Sequence, residues 1–203
     1  MADREGLDGP LSRPEVLDLL GEGKDLSGAN LAGISLVGLD LSGASLREAN
    51  LSDADLTQAN LSSAALQGAN LTRACLSLAN LTDADLRGAR LSNADFRLAV
   101  LSAANLSEAL LWDTNFERAI LQEARLVGAD MSRARCGGAI MWNADLTDAN
   151  VVNADFSDVD LRQTMITTDQ LAKAGSLEGA HYQGEQSLRL RLLRGLSLGR
   201  RKG

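Results

Sequence analysis

From Leu26 onward, every fifth residue is apolar as far as Ile166. The run covers 29 positions, of which 21 are leucine and the others Phe96, Phe116, Met131, Cys136, Met141, Val151, Phe156 and Ile166. Two residues before each, alanine occupies 23 of the 29 positions, and the residue between is Asp or Asn in 17. Ser or Thr often follows. The unit is A-(D/N)-L-(S/T)-x, as in Ala49-Asn50-Leu51-Ser52-Asp53.

A period of five excludes the simple elements. On an α-helix, five residues advance about 500°, so successive leucines drift by roughly 140° and form no stripe. On a straight strand, side chains alternate with period two, and successive leucines would face opposite ways. A chain that bends once per unit keeps them all inside. Within a unit the Ala and the Leu then face in, the Asx and the Ser/Thr face out, and the fifth residue sits at the bend. Repetition at a fixed short period means a solenoid. Its core is a stack of leucines, which fits a chain with only 3% aromatic residues.

The charges set the number of sides. Residues on adjacent coils lie about 4.8 Å apart, where like charges repel. At a spacing of twenty there are no like-charged neighbours and five opposite pairs: Asp53/Arg73, Arg97/Glu117, Asp113/Arg133, Arg125/Asp145 and Arg135/Asp155. At fifteen there are six like-charged neighbours, and at twenty-five there are three. Four units per coil is the spacing the charges favour, which makes about seven coils and a rod of roughly 35 Å.

The pattern over residues 24–168 resembles the pentapeptide-repeat family. The resemblance implies an all-β fold, a right-handed quadrilateral β-helix. The inward Ala is replaced by Ile34 and Leu39 early in the run, and by Thr114, Val159 and Thr164 later. No insertion breaks the register. About function the family implies less. Its quinolone-resistance branch is a DNA mimic that binds DNA gyrase or topoisomerase IV, and that branch often carries projecting loops that this regular chain lacks.

The sequence divides into an N-terminal segment with a capping helix (1–23), the repeats (24–168), a C-terminal cap (169–185) and a basic tail (186–203). Ser12-Arg13-Pro14-Glu15 before Val16, Leu17, Leu19 and Leu20 reads as a capping box opening a short helix. Thr167-Thr168-Asp169-Gln170 opens a second, stopped by Gly175. Leu177 and Tyr182 are five apart, with Ala180 at the inward position, which predicts one more partial turn.

Net charge is −7, but it is unevenly placed. The tail holds Arg189, Arg191, Arg194, Arg200, Arg201 and Lys202 and no acid after Glu185. Three readings of it stand side by side: a solvated tail, an anchor to a membrane surface or nucleic acid, or a dimer contact. Two cysteines make no disulfide framework. The first residues lack the basic and apolar stretches of a signal peptide, so a bacterial, cytoplasmic protein is expected.

Nothing points to catalysis or to a cofactor. His181 lies outside the repeats. Cys75 faces out and Cys136 takes a leucine position, about three coils away, too far for a disulfide. Neither has metal-ligand spacing. The carboxylates recur as ladder residues, and the glycines occur singly at bends.

The informative positions are those where the outward pattern fails. Val100, Ile120 and Ile140 take the Asx position at a spacing of twenty, so they stack on three successive coils. Leu78 and Leu98 stack at the bend beside them, and Trp142 lies on the same side. Such a stripe is a candidate surface for a protein partner or a homodimer. Leu110 and Trp112 form a smaller pair on the opposite face. An acidic rod repels a polyanion, so direct nucleic-acid binding by the rod is not expected. As a DNA mimic of ~35 Å it would have to match about twenty phosphate charges. The repeats offer 18 acids against 11 bases. The expected function is therefore a non-catalytic scaffold for protein–protein interaction, with a gyrase-directed mimic as the alternative and a rod tethered by its basic tail as a third.

Overall fold

The computed structural model describes residues 10–182 except 22 and 24. The two helices among the described residues are α1 (Arg13–Gly21) and α2 (Thr168–Leu171), and the described residues between them form coils joined by single bridging residues. Twenty-four parallel bridges, from Asn30–Asn50 to Asp145–Met165, join residues twenty apart. Each coil therefore holds four five-residue units. The bridging residue is always the one at the Asx position. The Leu N–H of one coil donates to the Asx carbonyl of the next (Leu31 to Asn50, 2.7 Å), and the Asx N–H donates back to the Ala-position carbonyl (Asn50 to Ala29, 2.9 Å). Backbone polar groups are thus paired between coils although no side exceeds a few residues.

The bend has a local cause. The Ala-position N–H donates to the carbonyl of the Leu three residues earlier (Ala49 to Leu46, 3.1 Å), closing a four-residue turn. The third residue of that turn has positive φ at all 28 bends from Gly28 to Gln163, eight of them glycine and twenty not. The Asx before the Leu braces the same turn from outside. Asn70 Oδ1 accepts from the Thr72 N–H at 3.2 Å and from its hydroxyl at 2.7 Å. This Asx turn gives the D/N-L-S/T order its physical reason.

Inside, the leucine and alanine columns are buried, with only Ile34, Leu39 and Ala44 of the inward residues from 29 to 164 partly exposed. Phe96 and Phe116, in register on successive coils, stack with ring centroids 5.1 Å apart. The two buried threonines at inward positions are satisfied: Thr114 Oγ1 donates to the Leu91 carbonyl (2.9 Å) and Thr164 Oγ1 to that of Met141 (2.7 Å).

Both helix segments hydrogen-bond to a neighbouring coil. From the segment around α1, the Leu11 N–H donates to the Asn30 carbonyl, Arg13 donates to the carbonyls of Ser35 and Val37, and Val16 is buried. The Glu15 carboxylate accepts from both the N–H and the hydroxyl of Ser12. α2 has a full capping box between Thr167 and Gln170. The Gln170 amide also donates to the carbonyls of Leu146 and Ala149, at 2.8 and 2.9 Å. α2 adds one residue to its side of the coil, so the next bridges, Asp155–Ser176 and Asp160–His181, span twenty-one. Gly175 is needed there because a Cβ would meet the Asn153 carbonyl oxygen at 2.9 Å.

The expected charge pairs divide. Arg73 closes on Asp53 at 2.6 Å and Arg133 on Asp113 at 3.0 Å. Arg125/Asp145 and Arg135/Asp155 are bridge partners. Arg97 does not close on Glu117; it turns to Asp95 of its own coil at 2.7 Å. Arg87–Asp85 and Arg162–Asp160 repeat that geometry. Residues two apart across the Leu share one face, so the guanidinium fork reaches both carboxylate oxygens without crossing to another coil.

Candidate interaction face

One column of bridging residues runs Asp40, Asn60, Asn80, Val100, Ile120, Ile140, Asp160. Its first part is an amide ladder: Asn60 Nδ2 donates to Asp40 Oδ1 (2.9 Å) and Asn80 Nδ2 to Asn60 Oδ1 (3.3 Å). From Val100 the ladder becomes aliphatic for three coils. An aliphatic side chain accepts nothing, so the N–H groups of Ser102, Gln122 and Trp142 lose the Asx brace that Ser62 and Thr82 have. Ile140 is exposed, while Val100, Ile120 and Trp142 are half-buried.

Leu78 and Leu98 sit at the adjacent bend, both 50% exposed. Their φ values are 62° and 61°. For an L-residue the left-handed conformation costs roughly 1–2 kcal/mol, and Gly or Asn bears it best. Leucine here gains neither burial nor backbone ease. The structure thus brings five aliphatic residues and Trp142 to one edge. Toward its C-terminal end, shallow depressions open beside Leu98 and Ile140, sharing Gly138 and Asp158. His181 lines the one at Ile140 with Arg162 and Asp160. The hydrogen bonds from Arg162 hold the Asp160 carboxyl below its ordinary range.

Leu110 and Trp112 are exposed on the opposite face. Val152 follows two coils beyond Trp112, and Met165 is exposed in an Asx position. These two were missed, although Met165 breaks the Asx rule as Ile140 does and Val152 breaks the Ser/Thr rule one position after the inward residue. Arg189, Arg191, Arg194, Arg200, Arg201 and Lys202 lie outside the described residues.

Among the described residues, no group of three or more His, Cys, Asp or Glu could hold a metal ion. No helix among them is long and apolar enough to cross a membrane. Cys136 is buried, and burial pushes its thiol up, away from reactivity.

No curated protein matches the chain. Among solved structures, a trypsin-treated variant of QnrB1, a plasmid-mediated fluoroquinolone resistance protein, is 23% identical over 85% of this chain and 84% of its own, with a TM-score of 0.64. HetL, a pentapeptide repeat protein involved in heterocyst differentiation regulation from Nostoc sp. strain PCC 7120, is 26% identical over 84% of this chain and 94% of its own, with a TM-score of 0.28. A pentapeptide repeat protein of the Arabidopsis thaliana thylakoid lumen is 31% identical over 74% of each chain, with a TM-score of 0.22. The model of pentapeptide repeats matches in eight copies, over residues 25–62, 64–102, 99–135 and 132–163. With that match running through the same units that the bridges join, the chain belongs to the pentapeptide repeat family.

Proposed function

We propose that the protein is a non-catalytic interaction scaffold: a right-handed quadrilateral coil of about seven turns, closed by α1 and α2, that presents Leu78, Leu98, Val100, Ile120, Ile140 and Trp142 to a protein partner. One observation carries the reading. Leu78 and Leu98 are half exposed at bends whose other residues, from Gly28 to Gln163, are glycine or polar apart from Ala103. Apolar side chains placed against the interest of the fold, and continuous with an aliphatic break in the amide ladder, have the character of a binding surface. The regular coil supplies a rigid backing for it. The compartment we assign is the cytoplasm, where the free Cys75 and Cys136 stay reduced.

The test is capture of partners from the native host by the full chain, against the variant Leu98→Asn/Ile120→Asn/Ile140→Asn with unchanged circular dichroism. Loss of the captured protein is expected. Equal recovery by both would contradict the reading.

A second reading is a DNA mimic directed at DNA gyrase, favoured by the likeness in fold to QnrB1. The charge distribution weighs against it. Asp53, Asp85, Asp95, Asp113 and Asp160 are each neutralised by an arginine within 3.0 Å. DNA presents one unpaired phosphate per ~1.7 Å. A supercoiling assay decides: protection of gyrase from a fluoroquinolone supports this reading, and no effect from folded protein ends it.

A further inference from the structure

We propose that the aliphatic stripe has an occupant of its own in the free chain, the C-terminal segment 186–203, docked back along the coil. This rests on the reading of the stripe as a binding face. Three observations point to that segment.

The first is where the described chain stops. His181 is the bridge partner of Asp160, and so extends the column Val100, Ile120, Ile140, Asp160 by one more coil. Tyr182, the last described residue, packs on the core next to it. The segment therefore leaves from the end of the stripe itself, not from another face.

The second is reach. From His181, Ile140 is two coils back and Val100 four, about 20 Å along the column at strand spacing. The six residues that follow Tyr182, through Leu188, span about 20 Å when extended. Leu188, Leu190 and Leu192, which alternate with Arg189 and Arg191, come within range of the whole stripe.

The third is complementarity. Residues 186–203 carry six basic side chains and no acid. Residues 24–168 carry 18 acids against 11 bases. Beside the stripe, Glu117, Glu123 and Asp158 outnumber Arg118, while Arg97 and Arg162 are taken up by Asp95 and Asp160. Leucines for the aliphatic column and arginines for its acidic margins arrive on one segment, and opposite charge favours that pairing. A partner that takes the stripe then has to displace the segment, so its apparent affinity is reduced by the fraction of chains in which the stripe is free.

The experiment uses the full chain with Trp112→Phe, which leaves Trp142 beside the stripe as the only tryptophan. Leu188→Ser/Leu190→Ser/Leu192→Ser in that background is expected to move Trp142 emission to the red, at every protein concentration. A synthetic peptide of residues 186–203 added in excess is expected to restore it. A benzophenone amino acid in place of Ile120 is expected to cross-link to residues 186–203 of the same chain. Unchanged emission together with no such cross-link overturns the proposal. Cross-links only between chains overturn it in favour of a second copy. These outcomes are separate from the fate of the binding-face reading, because partner capture by the Leu98/Ile120/Ile140 variant is scored independently of Trp142.

Discussion

Asn80 is the last amide rung of its column, and Val100, its bridge partner on the next coil, is the first aliphatic one. Up to Asn80, the outward side chain donates to the coil before it and braces the turn that follows it. At Val100 both roles stop while the backbone bridge continues. The coil does not need every rung, and this sets what each kind of substitution should do.

Removing a working rung should destabilise. Asn70→Ala loses the hydrogen bond to Asn50 at 3.2 Å and both bonds from Thr72. The expected loss is about 1–2 kcal/mol, read as a lower denaturation midpoint in urea. Val100→Asn does the reverse, since it continues the Asn60–Asn80 ladder, and its midpoint should equal or exceed that of the wild type.

Relieving the bends at the stripe should stabilise. Leu98→Gly or Leu98→Asn removes a leucine from a φ of 61°. A gain of about 0.5–1 kcal/mol is expected. A loss would show that the Leu98 side chain contributes packing that its 50% exposure does not suggest.

The period of five was legible in the sequence because packing enforces it: every misplaced Leu would point to water. The twenty-residue coil was also legible, through charges that avoid one another across coils. The positive φ at the bend was not, because Glu48, Arg73 and Leu78 adopt it as well as Gly68; the hydrogen-bonded turn decides the backbone there, not residue preference, and it does so at Glu48 and Leu78 although Ser45 and Cys75 stand in the Asx position. Arg97 was assigned to Glu117 because spacing alone does not show that Asp95 offers the shorter reach. The stripe was readable at Val100, Ile120 and Ile140 as a failure of the Asx rule, and the same rule applied to Met165 would have flagged it.

Buried threonines give a test of the inward positions. Thr114→Val keeps the volume but loses the hydrogen bond to the Leu91 carbonyl, which still accepts from the Ala94 N–H. About 1 kcal/mol of destabilisation is expected. Thr114→Ala restores the residue that most coils carry and should cost no more than the valine.

Thiol reactivity should separate the cysteines. Cys75 is half-buried, while Cys136 is fully buried in a leucine position with its thiol pushed up by burial. A disulfide exchange reagent should titrate one thiol in the native protein and two in denaturant. Rapid reaction of both in the native state would contradict the placement of Cys136.

Acid should weaken the coil. Arginine hydrogen bonds hold the carboxyls of Asp53, Asp85 and Asp160 below their ordinary value. A lowered folded value means that, as pH falls, the unfolded chain takes up protons first. The stabilisation is therefore full above the ordinary aspartate value of about 4 and fades as pH drops below it. The thermal midpoint should be level from pH 6 to 8 and lower at pH 3.

The central claim is that the stripe is surplus to the fold and kept for binding. Its most direct measurement is the thermal midpoint of Leu98→Asn/Ile120→Asn/Ile140→Asn beside the wild type. A midpoint within a few degrees of the wild type, or above it, is the expected result. A fall of about 10 °C or more, equivalent to a few kcal/mol for a chain of this size, would show that these side chains hold the coil together and would contradict the claim.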